Sequence, residues 1–389
     1  MVKIIQTLLA LSASLSVAFG HAGHHMLEKR AAASTCPTTY AAVAAGAWPV
    51  LDCVPFIQDP QVQAWLKLVD FTKTPVYPPS KAGACPTDLT TLSKDQCWWT
   101  CQKCVDPNDI VVCPKTGTWG LTYDDGPSPD SPRLYDYLLQ HNQKATLFIV
   151  GSRAVSYQAT LKRAYQEGHQ IAIHTWSHPD MTSLSNEQIV AELKWTEKAI
   201  FSVIGVTPIY WRPPYGDVDN RVRNIATQLG YKTSIWTQDF DTNDWNIPGG
   251  TATPQSVVAT FQSWLAKIPT MSTGFIVLEH DLFPQEVNVS VSGILPIAYA
   301  TKGLDIMPIA KCLGDAKPYK EGAGTFVLGG PASVSGTATG TATGTSAGGA
   351  APTVVGGKSS SAIAVAPALV NIVLAAGSVV SVGFAAGMF

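Results

Sequence analysis

Between residues 119 and 280 the chain switches its hydrophobic period repeatedly, and this alternation limits the fold more than any other feature. Apolar runs at 119–123, 145–150, 170–174, 209–211, 232–236 and 275–280 have the length and bounding residues of short strands. Stretches of helical period lie between them at 133–141, 157–167, 220–229 and 255–268. A longer one runs to residue 204 and opens on a capping box, Ser185-Asn186-Glu187-Gln188. Strands that alternate with helices predict an α/β fold with a parallel sheet, closed incompletely into a distorted (β/α) barrel. In such a barrel the chemistry sits at the C-terminal ends of the strands.

The two ends of the chain do not share this pattern. Lys3, an apolar run over 4–19 and the small residues Ala18 and Gly20 read as a signal peptide, 1–20, with a retained membrane anchor as the alternative. His21, His24 and His25 stand before a Lys29-Arg30 pair, so 21–30 reads as a propeptide in preference to a metal site. Residues 329–361 are almost wholly Gly, Ala, Ser, Thr and Val, too poor in large apolar side chains to fold, and 315–361 reads as a linker and O-glycosylated stalk. The uncharged apolar tail, 362–389, reads as a GPI-attachment signal that is removed, with Ser359 as the anchor residue. Its rival is a C-terminal membrane helix, which would usually be followed by Lys or Arg. The expected location is therefore secreted, at the outer face of the cell membrane and in the cell wall, with the membrane reached through a lipid anchor.

A formal net charge of -2 argues against a nucleic-acid partner, and 46% hydrophobic content is enough for a full-sized core. Seven of the eight cysteines precede residue 114, which defines a cysteine-rich segment, 31–114, ahead of a catalytic domain at 115–314. Cys97, Cys101 and Cys104 have the look of a zinc knuckle, but thiols in an oxidising lumen pair with one another. If all eight pair within the chain, at least one bridge must reach Cys312, and Cys113, just before the first strong strand, is the partner expected. Asn288-Val289-Ser290 is an N-glycosylation sequon, which implies an exposed loop. Trp48, Trp65, Trp98 and Trp99 either stack on sugars or are aromatics buried under disulfides.

Two constellations carry chemistry. In Thr122-Tyr123-Asp124-Asp125-Gly126-Pro127 two carboxylates meet at a strand end, where they need a cation or hydrogen-bond donors unless the segment is simply a solvated turn. In His174-Thr175-Trp176-Ser177-His178 two imidazoles four residues apart end another strand and can reach one ion, unless they are structural. No Glu stands between the histidines, so the zinc-protease pattern is excluded. Two histidines and one aspartate make three ligands and leave positions for water, as a catalytic metal requires. This donor set suits zinc and also accepts cobalt or nickel.

Together with Arg212-Pro213-Pro214-Tyr215-Gly216, Asp241-Thr242-Asn243-Asp244-Trp245 and Leu278-Glu279-His280, these stretches resemble the five ordered motifs of the polysaccharide deacetylases, carbohydrate esterase family four. The resemblance covers about Cys113 to Cys312 and, with the two ends, is strongest to GPI-anchored fungal chitin deacetylases. It implies Asp125, His174 and His178 as metal ligands for Zn2+ or Co2+, with Asp124 as general base and His280 as general acid. It further implies that Arg212 pairs with the base, that Asp244 orients His280, and that the Tyr215 backbone N–H holds the oxyanion. Trp245 and Leu278 would line the acetyl pocket, although both also read as core packing. On their own, Arg212 reads as a surface arginine and His280 as a core histidine. Glu279 and Asp281 receive no role.

The function this implies is metal-dependent hydrolysis of N-acetyl groups in chitin or chitin oligosaccharides, giving chitosan and acetate, by a monomer. The alternatives are deacetylation of xylan or peptidoglycan, and a non-catalytic, wall-anchored carbohydrate-binding protein.

Overall fold

Every strand-to-strand pairing in the computed structural model, which describes residues 36–325, is parallel. The strands are Thr118–Gly120 (β1), Thr122–Asp124 (β2), Thr146–Ile149 (β3), Gln170–Ile173 (β4), Tyr210–Trp211 (β5), Lys232–Thr233 (β6), Phe275–Ile276 (β7) and Asp305–Met307 (β8). They form two sheets, ordered β7-β1-β8 and β2-β3-β4-β5-β6. The strand expected at 119–123 is split at Leu121. Its N–H bonds to the Met307 carbonyl and its own carbonyl accepts from Thr146, so β1 pairs with β8 and β2 with β3. Single bridges, Asp241 to Leu278 and Asp124 to His280, join the two sheets where a regular barrel would have continuous ladders, and Ile110 of the N-terminal segment bridges to Ser234 just past β6. That is the physical content of the distortion. It also draws the strand after β7 against the end of β2, with Asp124 N–H 2.9 Å from the Glu279 carbonyl.

The helices follow the apolar stripes. Asn186–Ile204 starts where the capping box places it: Ser185 N–H donates to Gln188 Oε1 at 2.9 Å and Gln188 N–H donates to Ser185 Oγ at 3.3 Å. Gly205, with φ of 75°, ends it in the left-handed cap that glycine adopts without strain. The helix packs against Gly151–Ser156 and Pro60–Leu66. Gly151–Ser156 is not foreseen from sequence, because Gly151-Ser152 has the composition of a turn. A Cβ on Gly151 would lie 2.7 Å from Trp176 and 2.8 Å from Thr196 Oγ1, so only glycine lets these elements meet. Trp119, Trp176, Trp195, Trp211, Tyr123 and Phe148 fill the interior, each completely buried.

The cysteine-rich segment is laid along the barrel. Cys36–Cys53, Cys85–Cys101 and Cys97–Cys104 are disulfides, which leaves no thiolates for a zinc knuckle, and Cys113 is bonded to Cys312. Trp98 and Trp99 are buried, and Trp98 Nε1 donates to Asp217 at 2.6 Å. Trp48 and Trp65 are partly buried against Trp195, so their rings pack within the protein.

Asn288 departs from expectation. It is exposed but lies in the helix Pro284–Val289, not a loop, and Ser290 is buried with its hydroxyl 2.7 Å from that of Tyr123. Pro284 at the first turn and Glu286, which accepts from the N–H groups of Leu282 and Phe283, start the helix there. The signal peptide, the propeptide, most of the stalk and the anchor signal with Ser359 lie outside the described residues.

Candidate active site

The residues singled out by the motifs converge at the strand ends. Asp124 is the last residue of β2, His174 follows β4, Arg212 follows β5, and His280 lies beyond β7. Asp124, His174, His178, Tyr215, Trp245, Leu278 and His280 line one cleft, together with Trp236 and Asp241. All of these except Tyr215 and Asp241, which are partly exposed, are buried to more than nine-tenths. Arg212 and Asp244 stand directly behind that wall.

Arg212 is completely buried, not a surface residue. Its Nη1 donates to Asp124 Oδ1 at 2.8 Å and to Thr122 Oγ1 at 2.9 Å, and Nη2 donates to the Ile235 carbonyl at 3.1 Å. Burial lowers the guanidinium from its usual range while the Asp124 charge opposes that shift. Removing either partner would strand a buried charge, which is far costlier than losing a surface pair.

The imidazoles flank Asp125. His174 Nε2 is 3.3 Å and His178 Nε2 is 3.1 Å from Asp125 Oδ1. His174 Nδ1 meets the Arg212 carbonyl at 2.8 Å, which assigns its proton to that nitrogen and turns the lone pair of Nε2 toward the cluster. Burial works to raise the Asp125 carboxyl, but His178 and His174 hold it well below the usual range. The three ligand atoms lie within 4.8 Å of one another. Tetrahedral bonds of about 2.0–2.1 Å place ligand atoms about 3.3 Å apart, so the observed spacings fit a divalent ion bound by these residues.

Across the cleft, His280 Nδ1 is 2.8 Å from Asp244 Oδ1, and its backbone N–H donates to Asp244 Oδ2 at the same distance. Burial would lower the imidazole, but Asp244 raises it well above its ordinary value. His280 thus stands on a buried carboxylate at the cleft wall and is not a core-packing histidine. Tyr215 has φ of 58° and its ring stands 4.6 Å from that of His178.

Sequence reasoning missed two wall residues. Asp241 accepts from Trp245 Nε1 at 3.3 Å and is pushed up to about 6 by burial. Its signal was its place at the head of the Asp241–Trp245 motif. Trp236 sits at the end of an expected strand and gave no signal of its own. The two unassigned carboxyls differ. Glu279 does not line the cleft, and burial, followed by Asp244, raises it well above the usual range. Asp281 accepts from Tyr135 at 3.3 Å and is pushed up to about 7 by burial. Gly126 makes room for it, since a Cβ there would lie 2.5 Å from Asp281 Oδ1.

Comparison with known proteins agrees with this arrangement. The family described as Polysaccharide deacetylase matches residues 112–234. Chitin deacetylase 1 of Cryptococcus neoformans var. grubii is 48% identical over 276 residues, which is 69% of this chain and 58% of that protein. The matched part thus spans little more than half of that relative. Chitin deacetylase 1 of Saccharomyces cerevisiae is 33% identical over 270 residues, covering 69% of this chain and 80% of the yeast protein. Among solved structures, the chitin deacetylase from Colletotrichum lindemuthianum is 30% identical and aligns with a TM-score of 0.49 over 56% of this chain and 97% of that one. With motifs, buried ion pairs and an alignment running through four-fifths of the yeast relative all in agreement, the chain belongs to the polysaccharide deacetylase family.

Proposed function

We propose that the chain is a chitin deacetylase, a metal-dependent hydrolase that releases acetate from N-acetylglucosamine residues and leaves chitosan. The reading is carried by one observation: Asp124 and His280, each fixed by a buried partner of opposite charge, face a single cleft beside the Asp125, His174 and His178 cluster. A binding module has no evident use for that set. The names of the relatives from Cryptococcus neoformans and Saccharomyces cerevisiae support chitin as the substrate.

Asp125, His174 and His178 would hold Zn2+ or Co2+, which when bound supplies positive charge against developing negative charge and makes a water more acidic. Asp124, paired with Arg212, takes the proton from the water that attacks the N-acetyl carbonyl carbon. The Tyr215 backbone N–H donates to the carbonyl oxygen as it becomes an oxyanion. His280 enters protonated and delivers that proton through Nε2 to the sugar nitrogen, so that the C–N bond breaks with an amine leaving. Trp245 and Leu278 enclose the acetyl methyl.

The same reading extends to the chain ends. The signal peptide would direct the chain into the secretory pathway, and the Ser359 anchor would hold a monomeric enzyme at the outer face of the cell membrane, where chitin chains are laid down. The test is acetate release from chitin oligomers, acetylxylan and peptidoglycan in parallel. Chitin oligomers are expected to be the best substrate; faster release from either of the others would reassign the polymer.

A further inference from the structure

The loop that carries both metal-binding histidines has an unusual backbone. Thr175 has φ of 65° and His178 has φ of 57°, left-handed values that are strained for a β-branched residue and uncommon for histidine. Such a backbone persists only where the surroundings over-determine the conformation. The surroundings here are specific. His174 N–H bonds to the Ile149 carbonyl, and the Thr175 and Trp176 carbonyls accept from Gly151 and Ser152. His178 N–H donates to Thr175 Oγ1 at 3.1 Å. The turn's two central N–H groups have one acceptor. Glu192 Oε2 accepts from Trp176 N–H at 2.7 Å and from Ser177 N–H at 2.9 Å, while Oε1 is 2.5 Å from Ser177 Oγ.

Glu192 belongs to the long helix Asn186–Ile204 and is completely buried. It lies in none of the five motifs and does not line the cleft. A buried carboxyl in the middle of a helix is unexpected unless its oxygens are used, and here all of its contacts go to the loop between the two ligands. Trp176 is fixed on its other side by the Val50 carbonyl, which accepts from Nε1 at 3.1 Å, and by Trp48, which stacks on it.

We infer that Glu192 is a positioning residue for the metal site: its carboxyl receives the two central N–H groups of the 174–178 turn and thereby holds His174 and His178 at ligand spacing. The inference rests on the metal-dependent reading given above. Glutamine keeps one oxygen to receive both N–H groups and can offer its amide to Ser177 Oγ, whereas leucine of similar size leaves both N–H groups buried without an acceptor.

The experiment is Zn2+ affinity of the chelated, refilled protein, measured by competition with a chromophoric chelator, with apoprotein Tm recorded separately. Outer contacts that orient metal ligands typically govern affinity by 10–100-fold, so Glu192→Leu should weaken Zn2+ by about that factor and Glu192→Gln by no more than about threefold. Zn2+ affinity of Glu192→Leu within about threefold of the parent overturns the inference, as does a Glu192→Gln variant as weak as Glu192→Leu. If Glu192→Leu does not fold, Ser177→Ala removes one contact from the same carboxyl and should weaken Zn2+ about threefold or more; no change overturns the inference. A parent protein that binds no Zn2+ refutes the metal-dependent reading itself, a result distinct from any of these.

Discussion

Replacing Asp244 by Asn probes the pair on which the proposed acid role of His280 depends. Asp244 receives both the ring Nδ1 and the backbone N–H of His280 at 2.8 Å, and both side chains are almost fully buried. Asparagine can still accept the backbone N–H through its oxygen, so the strand end should keep its place. Its amide would then face Nδ1 with a donor and favour the neutral ring. The lost attraction, for charge centres about 4 Å apart at an effective dielectric near 20, is about 4 kcal/mol. At about 1.4 kcal/mol per decade this corresponds to a fall in kcat of roughly 10³, within the range that general acids contribute. The sign of the pH effect follows from the direction of the shift. In the proposed role His280 acts protonated and Asp244 raises its pKa, so activity should be lost as pH rises through that raised value. Removing the carboxylate lowers the value and moves the alkaline limb of kcat to lower pH. The assay is acetate release from a chitin oligomer across the pH range, with Zn2+ affinity measured alongside. An unmoved alkaline limb together with kcat within about threefold of the parent would refute the acid role.

His174→Ala or His178→Ala should abolish Zn2+ binding and activity together, checked by equilibrium dialysis and acetate release, because two ligands hold an ion poorly. Asp124→Asn should keep Zn2+ and lose about 10²–10⁴ in kcat, since an amide cannot take the proton from water; loss of the metal in that variant would mean that the two aspartates have exchanged roles. His169 tests the fold. It is completely buried, its Nδ1 accepts from Ala145 N–H at 3.1 Å, and burial lowers it to about 3, with Lys144 and Arg163 adding to the effect. The unfolded chain takes up this proton below its ordinary value of 6.5, so stability is complete above that pH and is lost toward pH 3 at about 1.4 kcal/mol per unit. His169→Gln should flatten that slope in chemical denaturation between pH 6 and pH 4 by about one proton's worth. For the anchor, phospholipase should release the full-length protein from membranes, and truncation after Gly330 should give a soluble enzyme with unchanged turnover on small oligomers; retention after lipid cleavage would make 362–389 a membrane helix.

Much of this was legible because barrels of this kind place their chemistry where strands end. The periods of 2 and 3.6 located β3, β4 and the long helix to within a few residues, and Ser185 and Gln188 marked its start. Motif resemblance then supplied the partners that periodicity cannot, since Asp124 and Arg212 are 88 residues apart. What escaped was set by tertiary contact. Gly151–Ser156 is helical because Gly151 fits between Trp176 and Thr196, a fact invisible in a Gly-Ser pair. Asn288 is helical because Glu286 receives the N–H groups of Leu282 and Phe283. Arg212 read as exposed because two prolines follow it, yet it is buried by Asp124 and by Phe148, whose ring lies 4.2 Å below the guanidinium. Glu192 gave no signal, because a glutamate on a helix is ordinarily solvated.

The most direct test of the central claim is acetate release from a chitin oligomer by the purified protein before chelation, after thorough chelation, and after Zn2+ or Co2+ is restored. Release should stop on chelation and return with the ion, with one acetate for each new free amine. Full release from protein shown to be metal-free would contradict it.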